Sequence, residues 1–185
     1  MIDDIIRDAD GRMGKAVAAL GHEFGTVRTG RATGAVLEPI RVDYYGTPTP
    51  LTQMAGIKSP EPQLLVIEPW DKSALNAIEK AIQASDLGLN PSNDGQVIRV
   101  PFPALTGERR KELVKLCKHY AEEARVAVRN IRRDANEHLK ASEKEHDISQ
   151  DDLKRAEERT QKLTDSHVKE IDEMLKRKEA EIMEV

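Results

Sequence analysis

"PFPALTGERRKELVKLCKHYAEEARVAVRNIRRDAN", residues 101–136, holds the change of grammar that decides the fold. It opens on the last two prolines of the chain, Pro101 and Pro103, and no proline follows them. Thr106 then stands where a side-chain oxygen can cap a helix. Leu113, Cys117, Tyr120, Ala124, Ala127, Ile131 and Ala135 follow at steps of three and four, the spacing of one narrow apolar helical seam. A strand-and-turn region therefore ends here and a long helix begins.

Working upstream, "EPIRVDYYGTPTPL", "MAGIKSP", "QLLVIEPW" and "QVIRVPFP" are short runs bounded by Gly and Pro, which read as strands and turns. Within "GTPTP" a turn leaving a strand is preferred over a polyproline ligand. Between the strands, "DKSALNAIEKAIQAS" has helical spacing at Leu75, Ile78 and Ile82, with Asp71 as N-cap. "DLGLNPSNDG" reads as a loop. Before all of this, Ile2, Ile6, Ala9, Met13, Val17, Leu20, Phe24 and Val27 trace a first helix, with Gly30 as its expected stop. Downstream, Ser149 with Asp152 three residues later marks the start of a last helix. Its stripe runs through Leu153, Ala156, Leu163, Ile171, Met174 and Ile182, with Thr160 and His167 filling gaps.

Three long helices with narrow seams cannot each bury a face alone, so they pack together. The expected fold class is α+β, a long antiparallel three-helix bundle with an inserted small β/α/β domain. The bundle takes residues 1–30 and 106–185 and the inserted domain residues 31–105. Two chain crossings join them, at 29–31 and 101–105, and Thr29, Gly30, Arg31, Pro101, Pro103 and Leu105 are the expected hinge residues.

The composition narrows the function. A lone cysteine, Cys117, excludes internal disulfides and multi-cysteine zinc sites, and its place on the seam marks a buried thiol. The five histidines lack paired ligand spacing, so no metal and no cofactor is expected. Carboxylate pairs such as Glu122–Glu123 sit on exposed helices without the apolar surroundings that acid–base work needs. "TGRATG" lacks the Lys-Ser/Thr of a phosphate-binding loop. No enzyme activity is expected. No apolar run approaches the ~20 residues of a membrane span. The acidic, amphipathic start is unlike a secretory or transit signal, so the expectation is a cytoplasmic monomer.

The formal net charge is −4, yet residues 107–140 carry 10 basic and 6 acidic groups while the last 45 residues carry 9 and 14. On a wheel at about 100° per residue, Arg125, Arg129, Arg132 and Arg133 form one stripe away from Ile131. Two readings stand. The stripe tracks phosphates, with Arg28 and Arg31 extending it from the crossing, or it is a solvated face paired with acids of the last helix.

"EARVAVRNIRRDAN", "RTGRA" at 28–32, "YYGTPTPL" at 44–51, "ASDLGLNPSNDG" at 84–95 and "IRVPFPALTGERRKEL" at 98–113 together resemble the bacterial ribosome recycling factor family. The similarity runs from Met1 to the end; Thr33-Gly34 departs from the Ser-Pro expected after "GRA". The resemblance implies an L-shaped molecule with a flexible hinge. It implies binding to the post-termination ribosome through large-subunit ribosomal RNA. With elongation factor G and its GTP hydrolysis, such proteins split the subunits and release ribosomes from mRNA. It places Arg129 and Arg132 on the face that contacts RNA, Arg28 and Arg31 near it, and the smaller domain against elongation factor G. Arg125 and Arg133 join the candidate set by helical phase. The alternative is a helical-bundle adaptor or scaffold that binds no RNA.

Overall fold

A computed structural model describes residues 1–184. Among the described residues there are four α-helices: α1 Ile2–Thr26, α2 Leu75–Gln83, α3 Gly107–Lys144 and α4 Gln150–Met183. Six strands accompany them: β1 Arg41–Tyr44, β2 Thr47–Pro50, β3 Ala55–Glu61, β4 Leu64–Pro69, β5 Ser92–Asn93 and β6 Ile98–Pro101. The chain divides into two compact units. One joins Met1–Phe24 to Lys115–Glu179, and the other joins Gly25–Val114 to the residues from Ala180 onward.

In the first unit, α3 and α4 run antiparallel, because Arg125 meets Asp172 while Asn136 meets Thr160. Helix α1 lies parallel to α4, since Asp3 meets Arg159 and Asp10 meets His167. Its seam is as expected from the spacing: Ile6, Ala9, Met13, Val17, Leu20 and Phe24 are all buried. The helix stops at Thr26, four residues before Gly30. Gly30 does not adopt the left-handed conformation of a C-terminal glycine stop. Val27, counted as the last seam residue, is buried outside the helix.

The seam of α3 is shifted slightly around the helix from its expected line. Leu113, Cys117, Ala124, Ile131 and Ala135 are buried, but Ala121, Val128 and Leu139 complete the stripe while Tyr120 and Ala127 sit at its edge. In α4 the core line includes two threonines. Thr160 lies 2.8 Å from Asn136 Oδ1 and 2.9 Å from the Glu157 carbonyl, and the Thr164 hydroxyl donates to the Thr160 carbonyl at 2.8 Å. Each hydroxyl is buried with a partner, which is what lets a polar side chain occupy a core position. Both long helices are capped as the sequence indicates. Thr106 Oγ accepts from Arg109 N at 3.1 Å, and Ser149 and Asp152 exchange reciprocal bonds of 3.0 and 3.3 Å.

Cys117 is fully buried, and burial pushes its thiol up to about 11. At neutral pH the thiolate that attacks disulfide reagents is therefore scarce and inaccessible. An aromatic disulfide reagent should leave the native thiol unmodified over hours and titrate one thiol per chain in denaturant. Stoichiometric reaction in native buffer would contradict this burial.

The second unit carries a hairpin, β1–β2, and a four-stranded antiparallel sheet of order β3-β4-β6-β5. "TPTP" at 47–50 is itself strand β2 rather than a turn leaving a strand; the turn is Tyr45-Gly46. Prolines are tolerated there because a two-stranded ribbon leaves edge positions where no N–H is needed. The segment read as a loop contributes β5, a two-residue edge strand. Asp71 caps as expected, accepting from Ser73 N at 3.0 Å, although it caps a short 3-10 turn that leads into α2. The core contains Leu37, Leu51, Leu65, Ile67, Ile78, Ile82, Ile98 and Phe102. Gly34 fits because a Cβ there would lie 3.3 Å from Ile57 Cγ2, closer than comfortable packing.

Candidate nucleic-acid interface

The α3 arginines separate into two kinds once α4 is in place. Arg125 and Arg132 are seven residues apart, two turns, and both lean toward α4. Arg125 is only 19% exposed and binds Asp172 at 2.7 Å and Glu122 at 3.0 Å. Burial works against its charge, but the two carboxylates outweigh it and raise its pKa. Arg132 donates to Gln161 Oε1 at 3.1 Å. Arg129 is 44% exposed, and its one ionic neighbour among the described residues is Glu122 at 3.8 Å. Arg133 is exposed and pairs with no group among the described residues.

The stripe thus divides into side chains partnered within the bundle and side chains directed outward. Arg125 is the paired, solvated-face case, and its guanidinium is largely used within the bundle. Among the described residues Arg132 has only a neutral partner, Gln161, and no carboxylate. Arg129 and Arg133 point a forked cation outward, the geometry suited to phosphate oxygens. Glu122, one turn before Arg125, also faces Arg129, one further turn along the helix. That position was visible as an i, i+7 spacing.

Glu122 competes with any anion for Arg129. Glu122→Gln keeps the shape and removes the charge, so affinity for a polyanion should rise, by up to about fivefold, the scale of an exposed ion pair. Equilibrium binding to large ribosomal subunits at fixed salt would measure it. An unchanged or weaker affinity would contradict the competition.

Arg28 and Arg31 lie in the other unit and behave differently. Arg31 is exposed, and its N–H donates to Thr29 Oγ1 at 3.2 Å, closing a small turn of the crossing. Arg28, expected to extend the open patch, is only 8% exposed. Its guanidinium donates to the Pro103 carbonyl and lies 5.3 Å from the centroid of the Phe102 ring, a cation–π contact. Burial, with Arg109 nearby, lowers its pKa. In this conformation the side chain ties the first crossing to the second and offers little surface to a phosphate.

The crossings also share the β3–β4 turn. Ala32 N donates to the Pro62 carbonyl at 2.7 Å and Phe102 N to the Gln63 carbonyl at 2.7 Å. Thr29, Gly30 and Arg31 line an open cleft with Pro62, Gln63 and Arg110. Of the other expected hinge residues, Pro101 ends β6, Pro103 accepts from Arg28, and Leu105 is buried. Among the described residues no cluster of His, Cys, Asp and Glu could hold a metal ion, and no helix is long and apolar enough to cross a membrane.

Fold and site together define an α+β protein: a three-helix bundle with a basic helical face, and a small antiparallel-sheet unit. The profile of the ribosome recycling factor family matches residues 20–183, and the chain belongs to that family. The ribosome-recycling factor of Syntrophomonas wolfei is 60% identical over 185 residues, and that of Carboxydothermus hydrogenoformans 57%, each covering the whole of both chains. The solution structure of a ribosome recycling factor aligns with a TM-score of 0.76 at 48% identity, covering 100% of this chain and 98% of the other. A second solved structure aligns over all of both chains with a TM-score of 0.69 at 46% identity. It presents models of the T. thermophilus ribosome recycling factor and the E. coli elongation factor G bound to the E. coli post-termination complex. Nothing in these comparisons supports the adaptor alternative.

Proposed function

We propose that this chain recycles ribosomes in the cytoplasm. It binds the post-termination ribosome as a monomer through large-subunit ribosomal RNA. With elongation factor G and GTP hydrolysis, it splits the subunits and frees them from mRNA. Its own part is mechanical: it holds RNA and transmits force, and performs no chemical step. The observation that carries the reading is the outward pair Arg129 and Arg133 beside Arg132, on a helix of 38 residues stiff enough to pass on a load.

In this reading Arg129 and Arg132 anchor on phosphates, Arg133 and Arg31 add contacts, and Arg125 and Arg28 hold the framework. Arg132 exchanges Gln161 for RNA at little electrostatic cost, because the glutamine is neutral. The bundle of residues 1–30 and 106–185 is the anchored part. The domain of residues 31–105 turns on the crossings at 29–31 and 101–105 when the GTPase acts on it.

Light scattering of purified post-termination ribosomes tests this. Scattering should fall only when the protein, elongation factor G and GTP are all present. An unchanged signal with all three would refute it.

A further inference from the structure

We propose that Gln161 keeps Arg132 available for RNA by standing between it and Asp165, the carboxylate that would otherwise capture it. This deepens the anchoring role given to Arg132 above and rests on that reading. Gln161 is a positioning residue: it acts through Arg132 and needs no contact with RNA of its own.

The register of the antiparallel helices α3 and α4 shows what Gln161 prevents. Arg125 and Arg132 are seven residues apart on α3, and Asp165 and Asp172 are seven apart on α4. Seven residues fall within about 20° of two full turns, so the two Arg–Asp combinations occupy equivalent positions of one helix pair. The first closes directly, with Arg125 Nη2 2.7 Å and Nε 2.9 Å from Asp172 Oδ1. The second does not close. Arg132 Nη1 donates instead to Gln161 Oε1 at 3.1 Å, and Gln161 Nε2 donates to Asp165 Oδ1 at 2.8 Å. In the Arg125 pair the position equivalent to Gln161 is Val168, which has no polar side-chain atom to insert. The arginine, the aspartate and the spacing are the same, and the glutamine is what differs.

An amide suits this place for a chemical reason. A guanidinium only donates and a carboxylate only accepts, so a bridging side chain needs an acceptor at one end and a donor at the other. Glutamine carries both on one fork. A carboxylate at 161 accepts from Arg132 but cannot donate to Asp165, and it adds a negative charge. Two hydrogen bonds, each with one charged partner, thus take the place of one exposed ion pair, which is a weak interaction.

The neighbouring charges do not substitute for Asp165. Among the described residues, Lys162 and Lys169, three before and four after it, form no ion pair with it. Glu157 and Glu158, one turn before Gln161, form none with Arg132. On α3, Arg129 faces Glu122, and Asp134 pairs with Arg12. Asp165 is therefore the carboxylate in register with Arg132. When a phosphate takes Arg132 it displaces one neutral acceptor, and the amide left on Asp165 keeps that carboxylate occupied beside the incoming anion.

Gln161→Ala in the full chain is the test, with purified large ribosomal subunits as the ligand. Alanine keeps the helix and opens the gap between Arg132 and Asp165. Affinity should fall by about three- to fivefold, the scale of one exposed ion pair that must now break. Adding Asp165→Asn should return it at least to the wild-type value, whereas Asp165→Asn alone should raise it by less than about twofold. A glutamine that only steadied the bundle predicts no such rescue. The crystal structure of Gln161→Ala should also place the Arg132 guanidinium within about 4 Å of an Asp165 oxygen. Unchanged affinity in Gln161→Ala, a loss that Asp165→Asn fails to rescue, or an Arg132 that stays apart from Asp165 would each overturn the proposal. If the wild-type chain itself does not bind large subunits, the proposed function falls, while the crystal structure still decides whether Gln161 holds the pair apart.

Discussion

Replacing Arg129 and Arg132 together by alanine should lower affinity for the large ribosomal subunit at least about a hundredfold. Each guanidinium–phosphate contact is a charge-assisted hydrogen bond, worth roughly 1.5–3 kcal/mol. The slope of log affinity against log salt should flatten by roughly one for each arginine removed from a phosphate. Stability should change little, by about 1 kcal/mol or less, because Arg129 has only a loose exposed ion pair and Arg132 gives up one exposed hydrogen bond to Gln161. Arg125→Ala is the informative contrast. That side chain ties α3 to α4 through Asp172, so its loss should lower the melting temperature more and RNA affinity less. Lysine at 129 and 132 keeps the charge but loses the bidentate fork, and should restore the salt slope without the full affinity. Equal affinities for wild type and the double alanine variant would remove the anchoring role.

Phe102→Ala should destabilise the small unit by about 3–5 kcal/mol, the usual cost of deleting a buried phenylalanine ring. Phe102 is among the largest fully buried side chains, and it packs in the one core that the sheet and α2 share. Its ring also faces the buried Arg28 guanidinium, which donates to the Pro103 carbonyl. Truncation thus opens a cavity and strips a buried cation of a favourable neighbour. At roughly 2–4 °C per kcal/mol for a chain of this size, the melting midpoint should drop by about 6–20 °C. Phe102→Leu should lose much less. A drop below about 2 °C for alanine would mean that the site collapses around the gap or that the ring contributes little.

Much of this could be read from the chain before any packing was known. The seam of α1, the caps at Thr106 and Ser149 and the strand runs around Val66 and Val100 depend on neighbours a few residues away. Local periodicity and hydrogen-bond chemistry suffice for them. The misreadings were also local in origin. Gly30 looked like a helix stop because glycine suits one, but the helix ends where the chain turns into the small unit. "TPTP" looked like a turn because prolines usually end strands, whereas an edge position in a two-stranded ribbon accepts them. Thr160 was a gap-filler in the pattern, and Thr164 was absent from it. The partner Asn136 and the Thr160 carbonyl make those hydroxyls acceptable in a core.

For the arginine face, helical phase by itself determined that Arg125, Arg129, Arg132 and Arg133 avoid the centre of the α3 seam, since 3.6 residues per turn leaves no other arrangement. It could not sort them. Tertiary structure decided that Arg125 is consumed by Asp172, that Glu122 sits between Arg125 and Arg129, and that Arg28 is turned inward onto Phe102. Those partners lie 47 and 74 positions away for Arg125 and Arg28, and no short-range rule reports a contact of that span. Whether a charge is free depends on what another helix or strand brings to it. That is why the sequence alone settled which residues form the basic face, and only the folded chain settled which of them have partners within the protein.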